Sequence, residues 1–158
     1  MKPDVLVLYP TLVPQLQVLD QLYTLHRYDL AEGPAKAALL ERVGPLCRAA
    51  VLNGHTALTR EMLAHLPALQ VVACSSAGYE SIDVAALNER RIKLTNSSDA
   101  LSDDVADTAL LLLLAARRGL VGGHQNVASG DWGRKGMFPL QSAVRGKRLG
   151  IVGMVKIG

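Results

Sequence analysis

Near the start of the chain stands Val5-Leu6-Val7-Leu8, an apolar run closed by Tyr9-Pro10 and followed over residues 12–22 by apolar side chains at roughly helical spacing. It reads as a strand leading into a helix. The unit recurs, with residues 23–28 as strand, 34–43 as a helix carrying Pro34 in its first turn, and Ala49-Ala50-Val51-Leu52 as strand. Thr59 is placed to cap a helix through residue 66; residues 69–73 form the next strand, 82–90 a short helix, and Ile92-Lys93-Leu94 another strand. Strands alternating with helices at this spacing pair in parallel through right-handed crossovers, so the fold class is α/β.

Composition agrees. The 158 residues are 49% hydrophobic but only 4% aromatic, a balance that suits parallel strands covered by helices on both faces better than an all-β sandwich. Such a length holds one well-buried core, or a small domain and a piece of another. The formal charge of +3 is mild. The densest basic cluster, Arg145-Gly146-Lys147-Arg148, reads as a solvated turn before a strand, so nucleic acid is not an expected partner. Cys47 and Cys74 lack C-x-x-C spacing, and no basic and then apolar leader follows Met1, which fits a reducing cytoplasm. The longest apolar run, 109–116, is far short of the ~20 residues of a membrane span, so no membrane is expected.

After Asn96 the rhythm changes. Ser102 is expected to cap a helix whose first turn holds Asp103 and Asp104, where carboxylates suit the positive end of the helix dipole. From 105 to 116 that helix is apolar almost all round, which predicts burial on nearly every side. The helical pattern weakens at Gly119, Gly122 and Gly123, resumes through Val127 and ends at Gly130. Residues 131–146 read as a connecting loop and Leu149-Gly150-Ile151-Val152 as a new strand. A domain boundary near Asp99 divides 1–98 from 99–158.

The last strand runs into Gly153-Met154-Val155-Lys156-Ile157-Gly158. In Gly-x-Gly-x-x-Gly the first glycine makes a tight turn, the second lets backbone approach a pyrophosphate, and the third lets helix pack on strand. Gly153 and Gly158 fit this pattern, but Val155 puts a branched Cβ where the phosphates would come close; the other reading is an ordinary strand-to-helix turn. Ser75-Ser76-Ala77-Gly78-Tyr79-Glu80-Ser81-Ile82-Asp83 follows a strand and offers either exposed backbone N–H groups for an anion or a plain loop that caps the next helix. Asn53-Gly54-His55 leaves the same edge of the sheet, as a second wall for one ligand or as a simple turn. The histidines show no metal-ligand spacing, Cys74 reads as an inert buried thiol, and no Gly-x-Ser-x-Gly marks a serine nucleophile.

Taken in order, Ser76-Ala77-Gly78-Tyr79-Glu80-Ser81-Ile82-Asp83, Asp103-Asp104-Val105-Ala106-Asp107-Thr108-Ala109-Leu110, Lys135-Gly136-Met137-Phe138-Pro139-Leu140 and Gly146-Lys147-Arg148-Leu149-Gly150-Ile151-Val152-Gly153 resemble the D-2-hydroxyacid dehydrogenases, closest to their glyoxylate and hydroxypyruvate reductase branch. The resemblance implies a flavodoxin-like, parallel-sheet substrate domain over 1–98, then a long interdomain helix and the first strand of an incomplete Rossmann domain over 99–158. It implies reduction of a small 2-oxo acid by hydride from NADH or NADPH. The backbone N–H groups of Ala77 and Gly78 would hold the substrate carboxylate, with Ser76 beside them and Asn53 and Gly54 lining the same cleft. Val105 would lie against the nicotinamide, and Gly153 and Gly158 under the pyrophosphate.

The family's catalytic arginine, its acidic partner and its acid/base histidine lie beyond the glycine turn, so the resemblance implies a truncated chain with no catalytic residue of its own. Loss of the general acid alone removes about 10²–10⁴-fold of rate, and the chain is expected to be inactive. Its apolar stretches 110–114 and 149–152 would lack their usual cover, which predicts self-association as a homodimer or higher. A different class of function is a stand-alone carboxylate-binding or regulatory module without catalysis. A receiver-type signalling domain would need acidic residues after the first strand and a phosphorylatable aspartate after the third, where Tyr9-Pro10 and Asn53 stand.

Overall fold

Five short strands, β1 (Asp4–Val7), β2 (Thr24–Arg27), β3 (Cys47–Leu52), β4 (Val71–Cys74) and β5 (Lys93–Thr95), pair in parallel in the order β2-β1-β3-β4-β5. The computed structural model describes residues 2–153. This is the flavodoxin-like order, whose switch point lies between β1 and β3. Helices α1 (Val13–Leu22), α2 (Pro34–Val43), α3 (Arg60–Ala64) and α4 (Val84–Glu89) make the crossovers. The alternation read from the sequence is therefore present element by element.

The local chemistry explains the short helices. Thr59 Oγ1 accepts the Met62 N–H at 3.3 Å and Asp83 Oδ1 accepts the Ala86 N–H at 2.8 Å, so each helix has a donor of its first turn satisfied. At the other end of α3 the Arg90 guanidinium donates to the carbonyls of Leu63 and Leu66, which would otherwise be open. The core lies where the sheet meets α2, α3 and α4: Leu6, Leu52, Leu58, Leu63, Leu66 and Leu87 are fully buried.

The chain divides into two compact units, Met1–Asp99 and Ala100–Gly158. The second contains α5 (Ser102–Arg117), α6 (Leu120–Ala128) and α7 (Asp131–Lys135). It departs from expectation in four ways. Ser102 is the first residue of α5 rather than its cap, because a tight turn over Ser98–Leu101 runs straight into the helix and puts Leu101 at the cap position. None of the residues of α5 is buried, and Leu111 and Leu112 are 60% and 63% exposed. An all-apolar helix is buried only if neighbours surround it, and within its own unit α5 packs mainly on α6.

The stretch 131–146, read as loop, opens with α7, held by ion pairs from Arg134 and Lys135 to Asp131. Residues 149–152 form no strand and are exposed. A parallel strand needs a neighbour for its N–H and C=O groups, and among the described residues of this unit there is none.

Candidate functional site

β3 and β4 run in register, Leu52 opposite Cys74, so the loops that follow leave the sheet at the same level. The Ser75 N–H donates to the Leu52 carbonyl at 2.9 Å and locks the start of the second loop to the end of β3. The Gly54 N–H then donates to Ser76 Oγ at 2.6 Å, and that hydroxyl donates to the Gly78 carbonyl at 2.9 Å. Asn53, Gly54, Ser76, Ala77 and Gly78 are thus brought to one corner of the sheet. Gly54 must be glycine here: a Cβ would stand 1.8 Å from the Gly78 oxygen and 2.7 Å from Ser76 Oγ.

The residues divide their work. Asn53 Oδ1 accepts from the His55 N–H at 3.2 Å and from Thr56 Oγ1 at 2.8 Å, folding its own turn. The Gly54 N–H and the Ser76 hydroxyl are spent on joining the two loops. Among the described residues, the N–H groups of Ala77 and Gly78 donate no hydrogen bond, and Ala77 is exposed. Two adjacent peptide donors on an open ledge at the carboxyl end of a parallel strand are the elements from which an anion cradle can be built. The Glu80 carboxylate stands against Gly78, 2.6 Å from where a Cβ would lie.

Sequence reasoning passed over two neighbours of this ledge. Asn96 Nδ2 donates to the Ala77 carbonyl at 2.8 Å, and the Ser97 N–H donates to the Ser76 carbonyl at 3.2 Å. Their position just past β5, beside β4 in a parallel sheet, was the available signal.

The thiols take no open role. Cys74, buried, has its sulfur 3.4 Å from Ser76 Oγ and 3.6 Å from the Gly78 oxygen, filling the space under the loop. Burial first, and the Asp4 carboxylate second, push the Cys47 thiol up from its ordinary 9.0 to about 11, so it is not a nucleophile near neutral pH. Among the described residues no group of three or more His, Cys, Asp or Glu is arranged to hold a metal. Nor is any helix among them long and apolar enough to cross a membrane.

Of the positions assigned by resemblance to the cofactor, Val105 lies in the first turn of α5, 44% exposed, and Gly153 has φ +85° with open space where a Cβ would point. Gly158 and Val155 fall outside the described residues. With no strand formed over 149–152, the described residues do not build a nucleotide cradle.

Comparison with known proteins agrees with this fold. Residues 5–151 match the family described as D-isomer specific 2-hydroxyacid dehydrogenase, catalytic domain. A glyoxylate/hydroxypyruvate reductase of Arabidopsis thaliana is 38% identical over 159 residues, covering 99% of this chain and 49% of the relative. A glyoxylate reductase of Thermococcus litoralis is 32% identical over 163 residues, covering 100% of this chain and 49% of its own. In three dimensions, a 2-hydroxyacid dehydrogenase from Ketogulonicigenium vulgare superposes with TM-score 0.92 at 35% identity, over 99% of this chain and 49% of that one. The chain spans about half the length of the relatives it matches. From β1 through the paired loops to the last described turn, the chain belongs to the D-isomer specific 2-hydroxyacid dehydrogenases, oxidoreductases acting on CH–OH groups.

Proposed function

We propose that residues 1–98 are the substrate domain of an NAD(P)-dependent reductase of small 2-oxo acids such as glyoxylate or hydroxypyruvate, and that 99–158 are the interdomain helix and the start of its coenzyme domain. One observation carries the reading: among the described residues the Ala77 and Gly78 N–H groups are unengaged, while the carbonyls of Ser76, Ala77 and Gly78 each accept a hydrogen bond. A carboxylate placed there receives two hydrogen bonds from donors already held in position, so the ordering cost is met before binding. Asn53 and Gly54 support the ledge from the neighbouring loop. The solved structure of a glyoxylate/hydroxypyruvate reductase from Sinorhizobium meliloti, 27% identical with TM-score 0.75, was obtained with NADP and malonate, a cofactor and a small carboxylate of the classes proposed.

The 158 residues alone are proposed to bind and not to reduce. Among the described residues the ledge offers two N–H donors to an anion, and its only acidic neighbour is Glu80, whose carboxylate lies against Gly78. Purified chain with glyoxylate and NADH or NADPH is expected to show no oxidation of the cofactor; measurable turnover would refute this part. Titration with oxamate, followed by amide NMR, is expected to shift Ala77 and Gly78 first. Perturbation elsewhere, with these two amides unmoved, would sink the carboxylate assignment.

Self-association is proposed for the second unit, where Leu110, Leu113, Leu114, Val144 and Leu149, rimmed by Arg117, Lys147 and Arg148, line a hollow of ≈ 600 Å³. Patches of this kind promote association in water. Light scattering is expected to give a dimer or larger, and a clean monomer at high concentration would count against it.

A further inference from the structure

We propose that Asn96 is a positioning residue for the carboxylate ledge, acting through the peptide planes that flank Ala77; this rests on the ledge being the carboxylate site. Three successive carbonyls of the loop each receive a donor. Ser76 O takes the Ser97 N–H at 3.2 Å, Ala77 O takes Asn96 Nδ2 at 2.8 Å, and Gly78 O takes Ser76 Oγ at 2.9 Å. The two N–H groups that share peptides with the first two carbonyls, those of Ala77 and Gly78, have no partner among the described residues.

No described peptide bond is cis, and in a trans peptide the N–H points opposite to the C=O. A tie at the Ser76 carbonyl therefore aims the Ala77 N–H away from the residues past β5, and a tie at the Ala77 carbonyl does the same for the Gly78 N–H. Both donors are turned to the open side by the segment Asn96-Ser97. A carbonyl that accepts a hydrogen bond also makes the N–H of the same peptide a stronger donor, because the amide polarises as a unit. Of the two ties, the one from Asn96 is made by a side chain, so it can be removed without touching the backbone.

The experiment uses the full 158-residue chain with Asn96→Asp, which keeps the shape but loses the donor, Asn96→Ala, and Asn96→Gln, which keeps the donor. In the absence of ligand, Asn96→Asp and Asn96→Ala are expected to move the Gly78 amide proton upfield, with melting temperature close to that of the parent. Oxamate affinity is expected to fall about fivefold in Asn96→Ala, the effect of one exposed-to-half-buried hydrogen bond. It should fall further in Asn96→Asp, whose carboxylate repels the ligand, and recover in part in Asn96→Gln. An unmoved Gly78 amide, or oxamate affinity within twofold of the parent in both donor-less variants, overturns the positioning role. If the parent itself fails to bind oxamate at Ala77 and Gly78, the carboxylate reading falls, whereas the ligand-free Gly78 shift still decides whether Asn96 sets the peptide plane.

Discussion

Residues 2–99 and 100–153 are comparably rich in leucine, valine and alanine, yet every buried hydrophobic residue of the described chain, from Val5 to Ile92, belongs to the first stretch. The second has none. What differs is the presence of a sheet. Each helix of the first unit covers a surface that five paired strands have already assembled, so a short amphipathic segment such as α4 buries Ala86 and Leu87. In the second unit α5 is longer and more apolar than any of these, and still leaves Leu110, Leu111 and Leu112 between 58% and 63% exposed. Burial is a property of the partner as much as of the segment.

The sharpest way to break this comparison is a truncation on each side. Leu6→Ala, at a fully buried position in β1, an inner strand of the sheet, is expected to cost about 3 kcal/mol, since a cavity opens between sheet and helices. Urea denaturation measures it, and a loss under about 1 kcal/mol would mean that the sheet is not the organising core. Gly54→Ala is next, at about 2 kcal/mol for the forced shift against the Gly78 carbonyl; oxamate binding should be lost with it, because the shift moves the ledge. A variant that kept full affinity would show that the two loops are not one unit.

Asp83→Ala removes the cap of α4 and should lower stability by about 1 kcal/mol. Restoration by Asp83→Ser would show that it is the cap, rather than the charge beside Arg60, that matters. At the small end, Leu111→Ala is expected to change stability by less than about 0.5 kcal/mol, as exposed positions do. A loss as large as that of Leu6→Ala would mean that α5 is covered in solution, for example by a second copy of the chain.

Much of the first unit could be read from residues alone. The run Val5-Leu6-Val7-Leu8, Pro34 in a first turn, and Thr59 as a cap all mark elements through short-range chemistry, and those elements are where they were expected. Boundaries drifted by a residue or two, as at β4, which begins at Val71 and includes Cys74. The candidate loops were legible as loops because they follow strands and are made of small residues. Their internal assignment was not: that the Gly54 N–H is taken by Ser76 Oγ, and that Asn53 folds back on its own turn, depends on contacts between positions about twenty residues apart. Asn96 escaped notice for the same reason.

The sequence by itself settled the α/β alternation, the parallel pairing and the family, because periodicity, capping and turn chemistry act over a few residues and the family motifs are local strings. Only the tertiary structure decided which of the loop's donors remain open, that Ser102 starts α5 rather than capping it, and that 149–152 has no strand to join. These outcomes depend on which surfaces meet. A hydrogen bond or a buried face needs a second party, and no stretch of sequence carries its partner within itself.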